Sequence, residues 1–124
     1  MQVPIVDEHC YRPTDGYIYN QNFYDHYDRS KSKVYLGEWA ARSYSHSQTS
    51  LESALTEALH MTNLERNGDI VCMTSYAPLL AKEGHIHWNP DLIYFNNSEV
   101  HPTASYYTQR MFGQNSGDEY IPLN

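Results

Sequence analysis

Three short runs rich in branched and aromatic residues set the terms for this chain: Pro4–His9, Lys33–Gly37 and Ile70–Tyr76. Each is too short for a helix and is bounded by polar residues, so each reads as a buried strand. The stretches between them are long enough for crossovers. Thr14–Ser32 carries Tyr17, Ile18, Phe23, Tyr24 and Tyr27 in a weak helical pattern. Thr49-Ser50-Leu51-Glu52 fits a capping box, in which a hydroxyl accepts from the N3 amide and the glutamate reaches back. Leu51, Ala54, Leu55, Ala58, Leu59 and Thr62 then share one face at helical spacing. Gly68 suits the C′ position, and a strand follows almost at once, as in α/β units. Ala77–Glu99 reads as a long loop, and a last helix is expected from Pro102 to about Phe112. Alternating strands and helices predict parallel strands joined by right-handed crossovers.

The polar residues of the first two runs crowd their carboxyl ends. Val34-Tyr35-Leu36-Gly37 leads into Glu38 and Trp39, and Val3-Pro4-Ile5-Val6 leads into Asp7, Glu8, His9, Cys10 and Tyr11. In parallel α/β sheets that end is where chemistry collects. Alternation puts Asp7, His9 and Tyr11 on one face and Glu8 on the other, so Glu8 is expected to be an outer hydrogen-bonding or ionic residue. A strand-end Glu38 can be a nucleophile, or it can simply pair with Arg12 or Arg42.

The formal net charge of −7 argues against a nucleic-acid backbone as partner and is compatible with a neutral ligand. Twelve tyrosines and two tryptophans suit sugars, whose flat apolar faces are ringed by hydroxyls. Tyrosine serves half-buried cores and interfaces equally well. No run is long enough to cross a bilayer, and no leader is visible at Met1. Cys10 and Cys72 fall on strands separated by another strand, too far apart for a disulfide, and are expected to be free thiols. His85 and His87 form a His-x-His that, with His9, allows a metal-dependent hydrolase to be considered. That spacing is common by chance and no His-Glu-x-x-His accompanies it, so no metal and no cofactor are expected.

Five blocks in order carry a more specific signal: Val6–Pro13, Val34–Ala41, Met61–Asp69, Thr74–Leu79 and Trp88–Phe95. Together the chain resembles the last third of the catalytic barrel of α-L-arabinofuranosidases of glycoside hydrolase family 51. The resemblance implies an α/β fold, a partial (β/α)8 TIM barrel of three βα units equivalent to strands 6 to 8. Residues 1–117 would be the C-terminal part of the catalytic domain, and 118–124 the start of a C-terminal β-sandwich or tail. It implies a retaining exo-acting hydrolase that releases terminal arabinofuranose from arabinan and arabinoxylan. Glu38 matches the family's nucleophile, Tyr11 the tyrosine that orients it, and His9 a histidine lining the sugar site. Trp39 and Trp88 are expected beside the substrate.

Two departures stand out. Cys10 replaces a usual tyrosine, and no residue here matches the family's acid/base glutamate in its Asn-Glu pair. The chain alone is therefore expected to be inactive, with arabinose-containing oligo- or polysaccharide as the partner of a longer protein. A non-catalytic carbohydrate-binding or assembly fragment is the alternative. Open sheet edges predict self-association, or pairing with a missing N-terminal portion.

Overall fold

The computed structural model describes residues 3–43 and 50–122. Its first sheet holds β1 (Ile5–Pro13), β2 (Lys33–Arg42) and β3 (Val71–Tyr76), all parallel and in that order. Between β1 and β2 run a short helix, α1 (Thr14–Ile18), and a 3-10 turn, Tyr24–His26. Helix α2 (Leu51–Arg66) joins β2 to β3. A second small sheet follows, built of β4 (Leu80–Lys82), β5 (Ile93–Phe95) and β6 (Val100–Pro102), and α3 (Ala104–Gln114) comes last.

The expectation of a partial (β/α)8 barrel is corrected here. The strands divide into two separate three-stranded sheets, and the second contains an antiparallel pair, β5 with β6. A run of barrel units has one sheet and only parallel neighbours. The segment expected as one long loop, Ala77–Glu99, supplies β4 and β5 of that second sheet instead, and β6 follows it directly. Pro102 ends β6, and Thr103 caps α3 by accepting from the Tyr106 N–H at 3.3 Å. Both earlier strands outrun expectation as well. β2 continues five residues past Gly37, to Arg42.

Helix α2 begins one residue later than the capping box suggests. Ser50 is its N-cap, accepting from the Ser53 N–H at 3.2 Å; Thr49 lies outside the described residues. Glu52 accepts from the Thr14 hydroxyl at 2.8 Å and so ties α2 to α1. The helix is also rotated from its apolar stripe. Leu51 and Leu55 are 68% and 62% exposed, whereas Ser53, Thr56, Glu57, His60 and Asn63 are buried. Hydrogen bonds from other elements meet part of this inversion, while His60 Nε2 and Asn63 Nδ2 have no hydrogen-bond partner among the described residues. Glu57 accepts from the Ala41 N–H at 3.1 Å and from the Tyr76 hydroxyl at 3.2 Å, joining α2 to β2 and β3.

The core between sheet and helices holds Val34, Leu36, Trp39, Ala41, Leu64, Ile70 and Val71, with Tyr17 and Tyr24 from the first crossover. Arg29 closes the underside, donating to the carbonyls of Tyr24 and Tyr27 and to the side chains of Asn67 and Asp69. No described helix is long and apolar enough to cross a membrane.

Candidate active site on the open face of the first sheet

Glu38 owes its direction to an irregularity in the sheet. Glu8 pairs with Leu36 but His9 pairs with Glu38, so Gly37 is one residue in excess on β2. Such a bulge re-aims the side chains beyond it. Leu36 and Trp39 both enter the core, although they are three apart. Glu38 is left on the opposite face, beside His9 and Tyr11.

Glycine at 37 leaves room for the side chain of its neighbour. A Cβ there would fall on the Asp7 carboxylate. Gly37→Ala is therefore expected to turn the half-exposed Asp7 side chain aside, at a cost under about 1 kcal/mol in urea titration. Adding Asp7→Ala to that variant should restore most of the loss; an undiminished loss would refute the clash as its cause.

Three side chains converge at this point. The Tyr11 hydroxyl donates to Glu38 Oε2 at 2.9 Å. His9 stands between two carboxylates, with Nδ1 3.5 Å from Glu38 Oε2 and Nε2 3.1 Å from Asp7 Oδ2. Burial, then the hydrogen bond and charge of Glu38, push the Tyr11 phenol up to about 12, against a smaller opposing pull from Arg42. Tyr11 thus keeps its proton at neutral pH and remains a hydrogen-bond donor to the carboxylate. Glu38 is partly exposed and its carboxylate is reachable from solvent.

Neither arginine weighed as an ion-pair partner for Glu38 makes that contact among the described residues. The Arg12 guanidinium lies over the Phe23 ring at 5.5 Å. That of Arg42 lies 4.9 Å from the ring centres of both Tyr11 and Trp88. Trp88, half exposed in the loop between β4 and β5, also meets Tyr11 edge to face at 6.4 Å. The site is a carboxylate flanked by a phenol, an imidazole and an aromatic wall.

Trp39 is not part of it, and its expected place beside a substrate is corrected. It is 0% exposed, on the helix side of the sheet, among Tyr17, His60 and Tyr76. Alternation alone separates residues 38 and 39, and the bulge at Gly37 decides which of them enters the core by putting Trp39 on the same face as Leu36. Glu8 also turns away and accepts from the Tyr24 hydroxyl at 2.9 Å. Cys10 and Cys72 are free. Among the described residues, no group of three His, Cys, Asp or Glu side chains is placed to hold a metal ion, so nothing in this geometry favours the His9, His85 and His87 reading. Asp7, a rival carboxylate by its place on the face of His9 and Tyr11, stands against His9, and Arg42, a candidate ion-pair partner of Glu38, lies against the Tyr11 and Trp88 rings instead. The signal for Arg42 was its i+4 spacing from Glu38 on a strand long enough to keep both on one face.

Comparison with known proteins gives a consistent family. A family model described as the α-L-arabinofuranosidase C-terminal domain matches residues 27–124. An extracellular exo-α-L-arabinofuranosidase of Streptomyces chartreusis is 43% identical over 120 residues, covering 97% of this chain and 14% of that protein. α-L-Arabinofuranosidase 1 of Arabidopsis thaliana is 37% identical over 111 residues, 90% of this chain and 16% of its own length. α-L-Arabinofuranosidase A of Aspergillus kawachii is 36% identical over 115 residues, 91% and 18% respectively. The solved structure of an arabinose-bound GH51 α-L-arabinofuranosidase superposes with a TM-score of 0.90 at 33% identity, over 96% of this chain and 21% of that one. The chain thus spans under a fifth of the length of these curated relatives. The matched model is that of a C-terminal domain, which is the second ground for the correction of fold given above.

Proposed function

We propose, because this chain belongs to the family of α-L-arabinofuranosidase C-terminal domains, that it carries the nucleophile side of an arabinofuranosidase site in a longer polypeptide. The observation that supports this most is the Tyr11 hydroxyl on Glu38 at 2.9 Å, on an open face and clear of any arginine ion pair among the described residues. The reaction is hydrolysis of a terminal arabinofuranoside with retention. Glu38 attacks the anomeric carbon, the bond to the leaving oxygen breaks, and a second carboxyl protonates that oxygen before activating water. Retention requires the two carboxyl groups about 5–5.5 Å apart. The acid/base carboxyl is assigned to residues outside this chain, so the chain by itself is expected to turn nothing over.

Each neighbour has a task in this reading. Tyr11 holds the carboxylate's orientation. His9, steadied by Asp7, lines the sugar pocket and can meet a ring hydroxyl. Trp88 supplies a flat face for the sugar. The substrate class is arabinose-containing oligo- or polysaccharide. The outer edges of β1 and β3, which no described strand covers, are the surfaces through which the chain would associate with a second copy or with the rest of a longer polypeptide.

The test is hydrolysis of an aryl α-L-arabinofuranoside by the full-length polypeptide. Tyr11→Phe keeps the ring but removes the donor to a charged acceptor, worth about 1.5–3 kcal/mol. A fall in kcat of about 10- to 150-fold is expected, with little change in KM. Unchanged kcat would detach Tyr11 from the chemistry.

A further inference from the structure

Arg42 has no part in the reading above beyond its pull on Tyr11, yet it is the most unusually held cation in the described structure. It ends β2, on the same face as Glu38 and Ala40 by alternation along the strand. Tyr11 pairs across the sheet with Ala40 and so sits between the two. Its hydroxyl is spent on Glu38 and its ring on the Arg42 guanidinium. The same guanidinium also lies 4.9 Å from the Trp88 ring centre, and the two rings meet each other edge to face with centres 6.4 Å apart, so the cation bridges two adjoining rings. Arg42 Nε is buried and has no acceptor among the described residues, and no described carboxylate forms an ion pair with this side chain. Aromatic faces hold this cation where a carboxylate would ordinarily do so.

That arrangement has a direction. Tyr11 is fixed by a strand and by its bond to Glu38, whereas Trp88 comes from a loop and is half exposed. The guanidinium therefore passes order from the strand to the loop. A planar cation can stack on two rings at once, which a lysine ammonium on a flexible stem does poorly.

Resting on the proposed arabinofuranosidase reading, we propose that Arg42 is a positioning residue for substrate. Its guanidinium clamps Trp88 against Tyr11 and thereby builds, beside Glu38, the aromatic wall on which a sugar ring stacks. Arg42 acts through Trp88 and does not itself touch the reacting atoms. Its contribution is to binding, since the wall touches the sugar equally before and during bond cleavage.

Two measurements test this, one independent of any activity. With 5-fluorotryptophan in this chain, two fluorine resonances are expected, and Trp88→Phe assigns them. Arg42→Met should move the Trp88 resonance towards that of a solvent-exposed indole and leave buried Trp39 in place, which also reports that the variant is folded. Arg42→Lys should shift it by an intermediate amount. An unmoved Trp88 resonance in Arg42→Met would overturn the clamp. In the full-length polypeptide, Arg42→Met should raise KM for an arabinofuranosyl oligosaccharide about five- to tenfold with kcat nearly constant, and Arg42→Lys should recover part of the loss. A fall in kcat at constant KM, or no change in either, would overturn the assignment to substrate positioning. If the unsubstituted polypeptide hydrolyses no arabinofuranoside, the functional reading and the substrate role fall together, while the fluorine result still decides the clamp.

Discussion

Replacing Glu38 by glutamine in the full-length polypeptide is expected to lower kcat for an aryl α-L-arabinofuranoside by about 10³-fold or more, the scale seen when a covalent nucleophile is removed. An amide oxygen occupies the same space and still accepts from Tyr11, but it does not form a glycosyl ester. Folding should be nearly untouched. Glu38 is partly exposed, makes no ion pair with an arginine among the described residues and lies outside the core, so its loss belongs with surface substitutions, within about 0.5 kcal/mol. Urea titration of the same variant separates the two effects. Full activity in Glu38→Gln would reject the nucleophile assignment outright.

The second large effect concerns pH and two buried groups on α2. Burial pushes the Glu57 carboxyl up from 4.5 to about 7, against partial compensation by Ser105, the Ala41 N–H and Tyr76. Burial, with a lesser push from Arg12, lowers His60 from 6.5 to about 4. For Glu57 the folded state keeps a proton that the unfolded chain releases, so stability is full below about 4.5 and falls by about 1.4 kcal/mol per pH unit up to about 7. For His60 the unfolded chain takes up a proton that the folded state refuses. Its contribution is full above 6.5 and is lost as pH falls towards 4.

Between about pH 4.5 and 6.5 the two slopes oppose one another, and the parent chain should show nearly flat stability. Glu57→Gln keeps an acceptor for Ala41 and Tyr76 and removes one slope. Its stability should then climb with pH by about 3 kcal/mol in total across that window, order of magnitude. Urea midpoints at half-unit steps would show it. A variant as flat as the parent would mean that neither His60 nor Glu57 carries the shift, and a parent that climbs as steeply as the variant would mean that Glu57 carries none.

The sequence made the parallel first sheet legible because its strands carry branched residues that only a buried sheet explains. It hid the extension of β2, since Ala40 and Ala41 have no strand signature and are held by the packing around them. It also hid β4, β5 and β6, each three residues long and too short for any period to register. The rotation of α2 was illegible for a different reason. Helical spacing counts leucines, and here the sheet-facing stripe is Glu57, His60 and Asn63, of which Glu57 is met by hydrogen bonds and His60 by aromatic rings from other elements. For the site, a period of two on β1 placed Asp7, His9 and Tyr11 on one face, and the family resemblance implied the pairing of Tyr11 with Glu38. Trp39 was misplaced because a bulge at Gly37 breaks that period on β2, and nothing local in the sequence marks it beyond the glycine itself.

The most direct test of the central claim is to trap the glycosyl ester. A 2-deoxy-2-fluoro arabinofuranoside with a good leaving group, given to the full-length polypeptide, should leave a covalent sugar adduct that peptide mass mapping assigns to Glu38. An adduct on another carboxylate, or turnover without any adduct at Glu38, would contradict it.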